Sequence, residues 1–150
     1  MRKTRRTLAL FLAVIAIISV MSVTVFANTT DSEDSRRVTG SAYTYGAARD
    51  KDNNSAVYLK ITSSADDHLF VRVYGCDANG NVKYNSTMAG ANVDNVVCRR
   101  GVNYSVHNSV KEDSCRMAKL AFRRLDPAAS YITVGYKWSP DSSKTYNHAT

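Results

Sequence analysis

What most limits the folds open to this chain is a period of two. Val57, Leu59 and Ile61 alternate with Tyr58 and Lys60, and Leu69, Val71 and Val73 alternate with Phe70, Arg72 and Tyr74. Val102, Tyr104 and Val106 alternate with Asn103 and Ser105, and Ile132, Val134, Tyr136 and Trp138 with Thr133, Gly135 and Lys137. Successive side chains of a strand point to opposite faces, so each stretch reads as a strand with one apolar face. Such a face must be covered, and where short strands are separated by polar turns the cover is a second sheet. The expected fold is therefore all-β, an antiparallel β-sandwich of short strands. Leu59, Val71, Val73, Leu120, Val134 and Trp138 are its expected core.

Turn chemistry supports this. Asn79-Gly80 precedes Val82-Lys-Tyr84, and this pair best tolerates the positive φ of a primed hairpin turn. Residues 50–55 read as a loop between an early strand near Ser41 to Tyr45 and the strand at Val57. Residues 115–125 are ambiguous, because they are good helix formers with Asp113 or Ser114 as a cap and Asp126-Pro127 as a stop. Ala118, Leu120 and Phe122 nevertheless alternate with Lys119 and Arg123. In a chain otherwise patterned for strands, we assign Met117 to Arg124 to a strand.

Ahead of the domain, Arg2, Lys3, Arg5 and Arg6 precede an uncharged run from Leu8 to Phe26 that closes in Val25-Phe26-Ala27. A positive start, an apolar middle and small residues before the cut define a secretory signal-peptide helix, cleaved after Ala27. The run is about 20 residues, enough to span a bilayer, so the alternative is an N-terminal membrane anchor with the domain outside. Either way the cations hold the N-terminus in the cytoplasm and the domain is extracellular. The expected organisation is a signal peptide over 1–27, a flexible lead-in over 28–37, a sandwich domain over 38–138 and a flexible tail over 139–150. The lead-in has no apolar residue before Val38, and such a segment buries too little to offset its ordering entropy.

Charge narrows the partners. The chain carries a formal +7, but the leader holds four of those cations and no acid, leaving +3 for the rest. Arg36-Arg37, Arg99-Arg100 and Arg123-Arg124 are scattered among Asp66-Asp67 and Glu112-Asp113. Nucleic acid binding calls for a concentrated basic stripe, so nucleic acid is not an expected partner. Mild attraction to anionic cell-wall polymers or headgroups remains.

Chemical motifs are scarce. Cys76, Cys98 and Cys115 in an oxidising compartment suggest one bridge and one spare thiol. Cys98 with Cys115 is the preferred pair because they flank Val102, Tyr104 and Val106; the alternative is three reduced, buried thiols. No zinc loop is present, since there is no C-x-x-C and His68, His107 and His148 lie at the wrong spacings. Asp50-x-Asp52-x-Asn54 opens like a calcium loop, but Ser55 stands where Gly is needed and Ile61 where a bidentate Glu is needed. Asp67 and His68 are adjacent, and neighbours on an extended chain point apart, so they form no catalytic pair. No catalytic residue, metal ligand or cofactor is expected.

The best binding surface is Phe70, Arg72 and Tyr74, opposite the aliphatic face of their strand. Exposed, two rings flanking a guanidinium would stack on a sugar or a side chain while Arg72 paired with an anion. Alternatively the rings pack under a loop or against Tyr43 and Tyr45 on a neighbouring strand.

The alternation over Met117 to Arg124 followed by the aromatic stretch Tyr131-Ile-Thr-Val-Gly-Tyr-Lys-Trp-Ser-Pro-Asp141 resembles small, uncharacterised secreted β-proteins of Gram-positive bacteria, some similar to lactococcin-type bacteriocins. The resemblance covers the last quarter of the chain. It implies a signal-bearing β-sandwich and antagonism of neighbouring cells, and it assigns no residue a role. The function expected is a secreted, non-enzymatic interaction module acting on a protein, glycan or envelope polymer. The alternatives are a secreted hydrolase with a site assembled from distant residues, and a structural cell-surface protein.

Overall fold

The structure is a computed structural model that describes residues 28–88, 94–127 and 130–149. The segment expected to be a signal peptide, residues 1–27, lies outside the described residues. Within them the strands are β1 (Ser32–Val38), β2 (Thr44–Asp50), β3 (Val57–Ser63), β4 (His68–Cys76), β5 (Val82–Asn85), β6 (Val96–Arg99), β7 (Asn103–Val106), β8 (Met117–Arg124), β9 (Ile132–Ser139) and β10 (Asn147–His148). One sheet runs β1-β9-β3-β7-β10 and the other β2-β8-β4-β5, with β6 also on β4. Every pairing is antiparallel except β7 with β10.

The two sheets meet on the apolar faces that the alternation marks. Leu59 and Ile61 of β3 and Val134, Tyr136 and Trp138 of β9 face Leu69, Val71 and Val73 of β4 and Leu120 and Phe122 of β8 in one buried cluster. The Phe122 and Tyr136 rings touch across it at 4.5 Å between centroids. All six expected core residues are at most 1% exposed. Residues 117–124 form strand β8, because its alternate side chains Ala118, Leu120 and Phe122 complete this core.

The hairpin from β4 to β5 forms at Asn79-Gly80, with a different turn. Among the described residues only Ser114 and the glycines Gly80 and Gly101 have positive φ, so Asn79 is right-handed and the turn is not primed. The Gly80 amide donates to the Asp77 carbonyl and the Asp77 side chain accepts from the Asn79 and Asn81 amides. Gly80, at φ 79°, supplies the left-handed step that returns the chain to β5, and the Asp77 amide then donates to the Asn81 carbonyl to close a longer loop. The early strand also lies later than expected, at Thr44–Asp50.

Both segments read as flexible are built into the fold. Ser32–Val38 is strand β1, paired with β9 over seven successive residues from Ser32 opposite Trp138 to Val38 opposite Ile132. β1 is the edge strand, and its ladder to β9 pairs the backbone groups on that side, which holds it in place with little apolar surface of its own. In the tail, Asp141 is fully buried and the Tyr146 ring packs 4.9 Å from Tyr58.

The tail is held by a buried ion pair. Lys51 Nζ donates to Asp141 Oδ1 at 2.9 Å, to the Ser55 carbonyl at 2.6 Å and to the Pro140 carbonyl at 2.8 Å. Asp141 Oδ2 accepts from the Asp52 amide at 2.9 Å and the Asn28 amide at 3.0 Å. Three ammonium protons thus meet three acceptors, tying the first described residue, the β2–β3 loop and the chain after β9 into one latch. Arg49 reinforces it, donating to Ser32 Oγ and the carbonyls of Thr30 and Trp138.

Candidate functional site

On the outer face of the second sheet, strand register assembles the candidate site. Phe70 lies opposite Arg123, Arg72 opposite Ala121 and Tyr74 opposite Lys119 across β4 and β8. On the far side of β8, Tyr45 of β2 also lies opposite Ala121. Ala121 is small and fully buried, so the long side chains on either side close over it.

They close into a lattice of rings and guanidiniums. The Arg72 guanidinium sits 4.2 Å from the centre of the Tyr43 ring. Arg123 lies 5.0 Å from the rings of both Tyr43 and Phe70. Tyr74 packs against Tyr45 at 5.3 Å between centroids, and Arg72 Nη1 donates to the Tyr74 hydroxyl at 3.1 Å. Each guanidinium over a ring face is held by the ring quadrupole, so two positive charges are fixed in position before any ligand arrives.

Burial is graded across this face. Tyr74 is 8% exposed and Tyr45 44%, while Phe70, Arg72, Tyr43 and Arg123 are half-buried. Among the described residues, Tyr43 Oη, Arg72 Nε and Arg123 Nε are shielded from water and have no hydrogen-bond partner. Burial raises the Tyr43 phenol above its ordinary value, against the pull of Arg72 and Arg123. The nearest acid to Arg72 is Asp94, 3.8 Å away and largely in solvent, so the local charge is positive.

Residues 21–142 match the family described as "Protein of unknown function (DUF2712)". The chain belongs to that family. No curated protein and no solved structure matches it.

The DUF2712 match spans every element of this face, from Tyr43 to Arg123. The face is not the open one that a free strand surface would give. Phe70, Arg72 and Tyr74 do come together, but against Tyr43 and Tyr45, and Tyr74 belongs more to the packing than to the surface. Arg123 was hidden in the sequence because its partnership with Phe70 exists only once β8 pairs with β4.

The expected bridge between Cys98 and Cys115 does not form, and all three cysteines are free and buried. Cys98 lies opposite Leu69, while a Cβ placed on Gly75 would fall 2.7 Å from Cys115 Sγ. Six residues of extended β4 separate those points, about 20 Å, whereas a bridge needs Cα atoms within about 7 Å. The stretch between the two cysteines crosses from one sheet to the other, since β6 pairs with β4 and β7 with β3.

Asp67 and His68 are closer than the strand argument allows. Asp67 precedes β4 in a bend, which brings its Oδ2 within 3.4 Å of His68 Nδ1. That carboxylate also accepts from Arg99 Nε at 3.0 Å, and both members of the pair are about half exposed. It is a surface charge cluster, in keeping with the solvated pairs that contribute little. The loop at Asp50 to Asn54 is tied into the latch instead, its Asp52 amide donating to Asp141 Oδ2 at 2.9 Å.

Proposed function

We propose that this domain is secreted and acts without catalysis as a binding module, holding an anionic polymer of a cell envelope on the outer face of the second sheet. The observation that carries the reading is the pair of fixed guanidiniums, Arg72 and Arg123, framed by Tyr43, Phe70 and Tyr74, each with a shielded Nε that has no acceptor. A planar guanidinium suits phosphate and carboxylate oxygens, which accept two parallel N–H bonds. The rings offer flat apolar surface to a sugar or polyol between the anionic groups. Prior ordering of the side chains lowers the entropy lost on binding. On the neighbouring edge strand β5, exposed Asn85 lies opposite Tyr74 and extends the face. The resemblance to lactococcin-type bacteriocins makes a neighbouring cell's envelope the favoured target.

Co-sedimentation with purified Gram-positive cell walls, intact or stripped of their anionic polymers by acid extraction, tests this. The protein is expected to sediment with intact walls, to be released by high salt as exposed charge pairs are screened, and to leave stripped walls in solution. Arg72→Gln combined with Arg123→Gln should weaken binding about tenfold or more, as charge-assisted bonds are lost, while the domain stays folded with a thermal midpoint lowered only by the lost cation–π contacts. Equal binding by the double variant, or equal binding to stripped walls, overturns the proposal. Tyr74 is unsuitable for this test because its burial ties it to stability.

A further inference from the structure

The chain contains three histidines, and the fold brings two of them into contact. His107 follows β7 and His148 ends β10, and these strands pair in parallel with His148 opposite Ser105. His107 Nε2 and His148 Nδ1 lie 2.9 Å apart, with ring centroids at 4.8 Å and planes 29° apart. Both residues are exposed. Both rings line one open cleft of about 210 Å³ together with Ser142, Ser143, Thr145 and Lys144.

We propose that His107 and His148 form a chelating site for a divalent d-block cation, with Cu(II) the best fit. Imidazole nitrogens bind such ions at about 2.0–2.1 Å. Two nitrogens at that distance lie about 2.9 Å apart when they meet the ion at a right angle, and about 3.4 Å apart at the tetrahedral angle. The observed spacing matches the right-angled arrangement, which is the preference of Cu(II) and Ni(II) with nitrogen and oxygen ligands. Neutral imidazole suits these ions, whereas Mg²⁺ and Ca²⁺ seek oxygen.

Protonation balances simply. In the metal-free contact one ring donates its N–H to the other. On binding, that proton shifts to the far nitrogen of its own ring, both facing nitrogens offer lone pairs, and no net proton is released. Among the described residues no three of His, Cys, Asp and Glu gather as ligands, so water and the cleft hydroxyls fill the remaining positions. Lys144 is the opposing charge in the cleft, carried on a flexible solvent-exposed stem. The buried cysteines do not compete: burial pushes the Cys98 thiol up to about 12 and raises Cys76 and Cys115 as well.

Calorimetric titration of the purified protein with Cu(II) tests the site, with electron paramagnetic resonance counting the coordinated nitrogens. One equivalent should bind, the spectrum should show two imidazole nitrogens, and Cu(II) should raise the thermal midpoint by joining β7 to β10. His107→Gln or His148→Gln should each weaken binding about tenfold or more, because the second ligand no longer acts intramolecularly. His68→Gln should change nothing. Both key residues are on the surface, and circular dichroism verifies that the variants fold. Binding that survives the double His107→Gln, His148→Gln variant, or a spectrum lacking two nitrogens, overturns the proposal and leaves the contact as a hydrogen bond pinning β10.

Discussion

Replacing Lys51 by Met removes the ammonium from the latch and leaves the rest of the chain untouched. Both side chains of the Lys51–Asp141 pair are fully buried, so the Asp141 carboxylate would lose its counter-charge while its oxygens stayed out of water. Asp141 would keep the amides of Asp52 and Asn28, but the Pro140 carbonyl would lose its ammonium donor. Removing one partner of a fully buried pair destabilises by about 3–5 kcal/mol. For a domain of this size that lowers the thermal midpoint by about 10–20 °C. Scanning calorimetry with urea titration measures it. A double variant, Lys51→Met with Asp141→Leu, should recover only part of the loss, since it frees the Asp52 and Asn28 amides as well. The pair also sets an acid limit. Burial alone would raise the Asp141 carboxyl, but the Asp52 amide, Lys51 and the Asn28 amide outweigh it and hold it below the ordinary carboxylate value. Its contribution is therefore present above the unfolded value of about 3.9 and is lost as pH falls through the lower folded value. Asp141→Asn should flatten that acid limb. A loss below about 1 kcal/mol for Lys51→Met, the range of solvated pairs, would refute the burial on which the argument rests.

Two further outcomes follow from the core. Trp138→Ala should cost about 3–5 kcal/mol in urea unfolding, because the ring is enclosed between the sheets, and a negligible loss would put it in solvent. A thiol reagent should find no reactive cysteine in the native protein and three once it is unfolded without reductant, since all three are buried and unbridged. A count of one on unfolding would reveal a disulfide.

The sequence by itself determined the strand segments and the side each presents inward. Alternation in residues 57–61, 69–73, 118–122 and 132–138 is a local property, and burying one face of a strand has one periodic signature. It therefore marked Leu59, Val71, Leu120 and Trp138 as core, and it decided residues 117–124 against their helix propensity. Only the tertiary structure decided what depends on partners distant in the chain. β1 carries almost no apolar signal because its stability lies in a backbone ladder to β9, about a hundred residues later. Asp141 reads as a tail residue until Lys51 is folded onto it. The cysteine pairing failed because flanking a segment in sequence says nothing about which sheet each end enters. Phe70, Arg72 and Tyr74 were legible as one side of a strand, and Tyr43 and Tyr45 as rings they could pack against, but Arg123 came beside Phe70 only with β8 in register on β4. His107 and His148, separated by 41 positions, met only through the parallel pairing of two short strands. Periodicity encodes which way a side chain faces, whereas the identity of what it faces is set by long-range contacts that no local pattern records.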